Sequence, residues 1–335
     1  MANRLTIPGF VNAHSHAFQR ALRGRTEGGD FWTWRDAMLE LADRQTSERV
    51  RTGYEQVYRE MHAAGYTAVG EFHYLGFEQA LAAAEAAQAA GITFVLLYAA
   101  YARGGLERFR QASPAEYLNQ VENLRGRGID VGLAPHSVRA CTPSWLAQIG
   151  SYAVEHDLVL HVHANEQPRE IEECIEEHGI RPIELLAKSG CLGPRTTIVH
   201  ATHADDAELD LLAQSGSRIC VCPTTEANLG DGYFPVQGVV ERGIPICIGS
   251  DSNARIDPLE ELRELEGIAR RSALRRNVIP PDTLLRIGAD EGGAALSLDS
   301  WPDAEVDLEH RSLAGLDESD VLPALVFGCS ADVFV

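Results

Sequence analysis

The sequence predicts an α/β fold: a closed barrel of eight parallel strands, each followed by a helix. Three observations point there. Eight short β-branched or apolar runs recur along the chain and alternate with amphipathic stretches. Most of these runs are near-continuously apolar, as strands covered on both faces must be. The 335 residues also leave room for a barrel of about 250 residues plus an appendage.

The runs are 9–16, 66–73, 92–98, 130–136, 158–164, 196–202, 218–223 and 244–251. Between them, Ser113 before Pro114 and Thr142 before Pro143 each set a hydroxyl N-cap ahead of a proline at the first helical position. The alanine-rich segment 79–90 and the Glu/Leu-rich segment 257–276 are strong helix formers. Residues 280–297 read as one further helix. Beyond them, 303–335 alternate like a few short strands, including 304–308 and 331–335. The expected organisation is therefore a barrel domain over 1–300 and a partial small β domain over 301–335.

Composition narrows the function. Lys and Arg number 29 against 49 Asp and Glu, a net charge of −20, which argues against a nucleic-acid binder. No apolar run reaches the roughly 18 residues that span a bilayer. The N-terminus lacks the apolar core of a secretory leader. A cytoplasmic protein that engages neither nucleic acid nor membrane is the expectation. The seven cysteines include no CxxC pair, and Cys220 and Cys222 sit at alternate positions of a strand, so they read as buried free thiols.

The chemistry-bearing residues gather where the strands end, which in such a barrel is the active face. The first strand ends in His14-Ser15-His16. The fourth ends in His136, with Arg139 just beyond. The fifth carries His161 and His163, followed by Glu166; the sixth carries His200 and His203; the eighth ends in Ser250-Asp251-Ser252. His14 and His16, two apart on a strand, share a face, so both imidazoles reach one ion. With His163 and Asp251 they make three nitrogen donors and one carboxylate, a set that leaves room for water on a catalytic zinc or similar ion. Iron, nickel and manganese suit the same donors. Glu166, off the strand and beside this set, stands where a proton shuttle is needed, and His200 stands across the mouth. His161, His203 and His73 read as supporting residues. Lys188 is the chain's single lysine and falls in a helix, which excludes a centre bridged by a carboxylated lysine. One metal ion is expected.

The set HxH, H, H, D on a barrel resembles the amidohydrolase superfamily, in its mononuclear deaminase branch. Several blocks are more specific: residues 8–20 around His14-Ser15-His16, 31–35 (Phe-Trp-Thr-Trp-Arg), 65–74, 134–139, 200–203 and 223–232. Together they resemble the formimidoylglutamate deiminases, N-formimino-L-glutamate iminohydrolases of histidine breakdown, over roughly residues 8–255. That resemblance implies a metal-dependent hydrolase barrel with a reduced β-sandwich remnant at the C-terminus. The implied reaction converts N-formimino-L-glutamate and water into N-formyl-L-glutamate and ammonia. In it Asp251 and His200 orient the water, and Glu166 relays a proton to the leaving nitrogen. It also implies Arg35 and Arg139 as partners for a small substrate with two carboxylates, a task that guanidinium forks suit. Gln19, Tyr74 and His136 complete the implied substrate contacts. Separately, a homodimer that buries the outer helices is expected.

Two departures stand out. Only 13 residues precede His14, so the N-terminal strands of the usual β-sandwich are expected to be missing, through loss or as a compact variant. After Gly249-Ser250-Asp251-Ser252 the chain carries Asn253, where the family pattern has a histidine. The loop 26–31 is also short. Two other readings compete. One is a deaminase of an aromatic base such as guanine or cytosine, with Trp32, Trp34 and Tyr74 as stacking partners. The other is a non-catalytic metal-binding protein, which would have lost a ligand or Glu166.

Overall fold

The computed structural model describes residues 3–335. Ten strands form: β1 Arg4–Pro8, β2 Phe10–Ser15, β3 Tyr66–His73, β4 Thr93–Ala100, β5 Val131–Pro135, β6 Leu160–Ala164, β7 Thr196–His200, β8 Arg218–Val221, β9 Ile246–Ile248 and β10 Asp303–Asp307. Strands β2 to β9 pair in sequence order as one parallel eight-stranded sheet. The sheet closes on itself through a parallel bridge between Ser15 and Asp251. This is the expected (β/α)8 barrel, with each of the eight predicted runs supplying one strand.

Closure needs β9 to press against β2. A Cβ on Gly249 would sit 2.7 Å from the His14 carbonyl oxygen, so only glycine permits that approach. A compact buried cluster of small side chains, Ala13, Val199, Cys220, Cys222, Cys247 and Ala295, packs within the barrel. The cysteines are all free and buried, as expected.

Helices cover the outside. Pro114–Gly126 begins with Ser113 accepting from the Glu116 amide, as its N-cap chemistry predicts. Thr142 does not cap Pro143–Glu155 in this way. Its hydroxyl bonds Ser144 instead, so proline alone sets that helix start. The segment expected as one helix over 280–297 is two, Pro281–Gly288 and Asp290–Ala295, broken at Ala289. Packing explains the break: Gly288 lies against Phe10 and Gly292 against Val11, which turns the chain under the barrel floor.

The tail corrects the sequence reading. Strand β10 forms, but it pairs antiparallel with β1, so a strand does precede His14. Residues 331–333 make a single 3-10 turn, and Phe334 contributes only a bridge to Val306. Between them Glu318–Gly328 is a helix, whose Leu325 and Val326 are buried. Its C-terminal carbonyls at Val326 and Cys329 accept from Arg263 of helix Pro258–Ala273, which holds them where no further turn could.

One buried acid ties the wall to the site. Glu71 on β3 is fully enclosed and accepts from the Ala17 amide, one residue past His16. Burial lifts its carboxyl from the usual 4.5 to about 8. Because the folded pKa is the higher, the folded chain holds this proton more tightly than the unfolded chain. Stability therefore falls as pH rises from about 4.5 to about 8 and is flat above. Glu71→Gln should flatten that slope and raise Tm more at pH 9 than at pH 5 (roughly the two limbs of that curve), measured by thermal melts across pH. An equal change at both would refute the buried-acid account.

Candidate active site

Four side chains from three strand ends meet at the top of the barrel: His14 and His16 on and just after β2, His163 on β6, and Asp251 after β9. His163 Nε2 lies 3.1 Å from His14 Nε2 and 3.4 Å from His16 Nε2. Asp251 Oδ1 lies 3.4 Å from both His14 Nε2 and His16 Nε2. Donors around a tetrahedral ion about 2.1 Å away stand about 3.4 Å from one another, so these spacings suit a zinc-sized ion.

The protonation states agree. His16 donates from Nδ1 to the Phe72 carbonyl (2.8 Å), and His163 from Nδ1 to the His136 carbonyl (3.1 Å). Each therefore turns an unprotonated Nε2 toward the other. Two lone pairs at 3.4 Å repel unless a cation sits between them. Burial holds all three imidazoles neutral, His14 down to about 3, although Asp251 pulls His14 and His16 the other way. Burial opposes the charge on Asp251 as well, but the His14 hydrogen bond and neighbouring imidazoles hold it well below the usual carboxylate range. Neutral imidazoles and an ionised carboxylate are the forms that bind a metal.

Backbone strain aims these groups. Asn165, His200, Ala201, Asp251 and Asn253 all adopt positive φ although none is glycine. Such residues cost about 1–3 kcal/mol each and persist where the surroundings over-determine them. At Asp251 the surroundings are clear: Asn12 bonds Ser250 at both its amide and its hydroxyl, and Asn253 bridges Ser15 and the Asp251 carbonyl. Asn253 thus braces the turn under Asp251 and does not line the cleft.

Around the cluster opens a cleft of about 700 Å³, mouth included. Glu166, His200, Gln19, Arg35, Tyr74, His136 and Arg139 all face it, so every site residue named from the sequence converges there except His14, which lies enclosed beneath. Gln19 donates to the Tyr74 hydroxyl (2.9 Å), leaving its own carbonyl without a partner. His136 stacks on His163 with ring centres 4.7 Å apart. Arg35 makes no ion pair among the described residues. Arg139 stands 3.7 Å from Glu166 and 3.8 Å from Glu170, too far for direct hydrogen bonds, and its Nε has no partner.

Glu166 is enclosed, with Oε1 3.7 Å from His200 Nε2. Burial lifts its carboxyl to about 7 against the pull of His200 and Arg139. His200 shows the reverse balance. Burial disfavours its charge, but Glu166, Glu226 and Asp251 raise it to about 10.

Three contributors escape a reading of sequence alone. Glu226 accepts from His200 Nδ1 (3.2 Å) and fixes that ring. Asp231, whose carboxyl burial and Glu166 lift to about 9, receives the Gln167 amide next to Glu166. Arg103 pairs with both oxygens of Glu177 and donates to the Arg139 and Val138 carbonyls, clamping the loop that carries His136 and Arg139. Glu226 and Asp231 do lie inside the 223–232 block, the one hint available. His161 and His203 are supporting, as expected: they donate to the Ala295 and Asp231 carbonyls.

The amidohydrolase family model matches residues 5–299. The chain belongs to the amidohydrolase family. Among similar proteins of this family, the formimidoylglutamate deiminase of Pseudomonas aeruginosa is 38% identical over 320 residues, covering 87% of this chain and 70% of the relative. A 5-methylthioadenosine/S-adenosylhomocysteine deaminase of Haloarcula marismortui is 31% identical over 304 residues, covering 88% and 69%. The crystal structure of an amidohydrolase from Brucella melitensis superposes with a TM-score of 0.87 at 31% identity, covering 98% of this chain and 84% of that one. No helix among the described residues is long and apolar enough to cross a membrane.

An ion that binds only the assembled site stabilises the fold by mass action. One equivalent of zinc per chain should therefore raise Tm, and chelation should lower it. His163→Ala should abolish the shift while leaving the chain folded. A Tm indifferent to zinc would count against the cluster as a metal centre.

Proposed function

We propose that this protein is a metal-dependent iminohydrolase that converts N-formimino-L-glutamate and water into N-formyl-L-glutamate and ammonia. The observation that carries the reading is one cleft holding both the His14/His16/His163/Asp251 cluster and two guanidinium groups with open donors, Arg35 and Arg139. A metal site alone suits many hydrolyses. Arginines open to carboxylates in the same cleft suit a substrate with two carboxylates and a formimino end. The resemblance to the Pseudomonas aeruginosa enzyme supports the same substrate.

A divalent ion held by His14, His16, His163 and Asp251, most simply zinc, supplies Lewis acidity that brings the pKa of a water toward neutrality. The chain's own residues do the rest. Asp251 and His200, their Oδ2 and Nε2 atoms 4.0 Å apart, orient the attacking water. Glu226 accepts from His200 Nδ1 and fixes the ring at the angle that turns Nε2 into the cleft. Gln19, with its free carbonyl, accepts from the formimino N–H groups. The water oxygen bonds to the formimino carbon, and the bond from that carbon to the imino nitrogen breaks. Glu166 carries one water proton to that nitrogen as the oxygen adds and the second as the carbon–nitrogen bond breaks and the carbonyl forms, so the nitrogen leaves as ammonia. A carboxyl at about 7 both accepts and gives a proton near neutral pH.

One observation favours a second reading. Phe31, Trp34, Tyr74 and Tyr101 also line the cleft, and their rings suit an aromatic base. Such a base has no use for paired guanidinium groups. The non-catalytic reading is disfavoured by Glu166 and His200, which stand beside the cluster without joining its four donors.

Ammonia release from N-formimino-L-glutamate by the zinc-loaded protein, with guanine, cytosine and 5-methylthioadenosine in parallel, separates these readings. Turnover of the first alone is expected; turnover of a base alone would overturn the proposal. Glu166→Gln should keep its metal while kcat falls about 10²–10⁴-fold, the usual span for a lost proton relay. Unchanged kcat would remove Glu166 from that role. Arg35→Met and Arg139→Met should raise KM by about tenfold or more, the effect of one charge-assisted contact of about 1.5–3 kcal/mol. An unchanged KM in both would detach the arginines from substrate binding.

A further inference from the structure

Asp251 divides its two oxygens. Oδ1 faces His14 and His16, whereas Oδ2 lies 4.0 Å from His200 Nε2. On that second side a further donor set closes: one nitrogen of His200, Sγ of Cys222 and an oxygen of Asp251 all lie within 4.8 Å of one another, and all three residues are buried. His200 Nε2 is enclosed and has no hydrogen-bond partner, while its Nδ1 is committed to Glu226. The same oxygen, Glu226 Oε1, accepts from the Cys222 amide at 2.9 Å, so one carboxylate anchors two of the three donors. Glu166, Glu226 and Asp251 surround His200 with carboxylates that a divalent cation would offset. No lysine takes part.

We propose that these three residues form a second, inhibitory site for a soft divalent cation, Zn²⁺ or Cd²⁺. His200 Nε2, Cys222 Sγ and Asp251 Oδ2 bind it, and Asp251 bridges to the first ion. The sulfur selects zinc and cadmium over magnesium, calcium and manganese. Solvent fills a fourth position. Binding displaces two protons to solvent, one from the Cys222 thiol and one from His200 Nε2, and nothing is oxidised or reduced. Because the ion takes Nε2 of His200, turnover stops; that consequence rests on the role given to His200 above. The site fills only beyond one equivalent, because it offers three donors of the chain against four in the first and shares Asp251 with it.

The test titrates chain loaded with one equivalent of zinc with Cd²⁺. A second equivalent should bind with a thiolate-to-cadmium absorption band, and ammonia release should fall in step and return on mild chelation. Cys222→Ala should lose the band and weaken the second equivalent by at least about tenfold, as expected when a ligand goes, while retaining the first. X-ray absorption of the wild-type chain with two equivalents of zinc should show a sulfur neighbour at about 2.3 Å. That measurement stands even if the variant fails to fold. Saturation at one equivalent, a band that survives in Cys222→Ala, or no sulfur neighbour overturns the proposal. Stoichiometry and sulfur ligation do not depend on the substrate, so a chain that leaves N-formimino-L-glutamate untouched sinks the function above without touching this site.

Discussion

The seam between β2 and β9 is the constraint on which everything else depends. The barrel closes there through two backbone hydrogen bonds, Asp251 N–H to the His14 carbonyl (3.0 Å) and His16 N–H to the Asp251 carbonyl (2.8 Å). The residues that close the fold are therefore the residues that present the donor cluster. Donor spacing is set by strand register, which a barrel holds far more rigidly than a loop. The left-handed turn at Asp251 costs free energy, but each buried hydrogen bond around Asn12, Ser250 and Asn253 returns about 1 kcal/mol. Together they offset a strain of the usual 1–3 kcal/mol.

The same seam organises the charge. His14, His16 and His163 sit where burial keeps them neutral, whereas His200, across the mouth, is ringed by Glu166, Glu226 and Asp251. A buried carboxylate must be paired or carry a proton. Asp251 is paired with imidazoles, and one oxygen of Glu226 with His200 and the Cys222 amide. Glu166 is satisfied only in part, by Arg139 and His200 at 3.7 Å. Of the three, Glu166 stands farthest from its partners, and it faces the open cleft.

Much of this was legible in the sequence, for identifiable reasons. Strands covered on both faces leave unbroken apolar runs, so all eight barrel strands could be placed, and His14, His16, His163 and Asp251 marked their ends. Where one stretch serves two contexts, the reading failed. The run Val321-Leu322-Pro323-Ala324-Leu325-Val326-Phe327 is apolar whether it is a strand or a buried helix; packing against Pro258–Ala273 and Arg263 decides for helix. Gly288 and Gly292 read as tolerated helix residues, yet their contacts with Phe10 and Val11 bend the chain. Glu226 and Arg103 look like an ordinary first-turn acid and an ordinary loop base. Their partners lie 26 and 74 residues away, at His200 and Glu177.

Asn253 shows how far a local departure reaches. A histidine beside the metal turn would be read as touching substrate, so its replacement by asparagine looks like a change of specificity. The side chain instead spends its hydrogen bonds on Ser15, Ser250 and the Asp251 carbonyl, and the backbone carbonyl of Asn253 accepts from Arg23. Its effect passes through the angle of Asp251, not through contact with a ligand. What faces the ligand comes from elsewhere: the short loop after Thr26 leads directly into helix Phe31–Asp43, which brings Phe31, Trp34 and Arg35 over the cleft. The side chains that face the cleft are therefore set by that helix and by the loop of Arg139, while the seam beneath them sets the donor cluster.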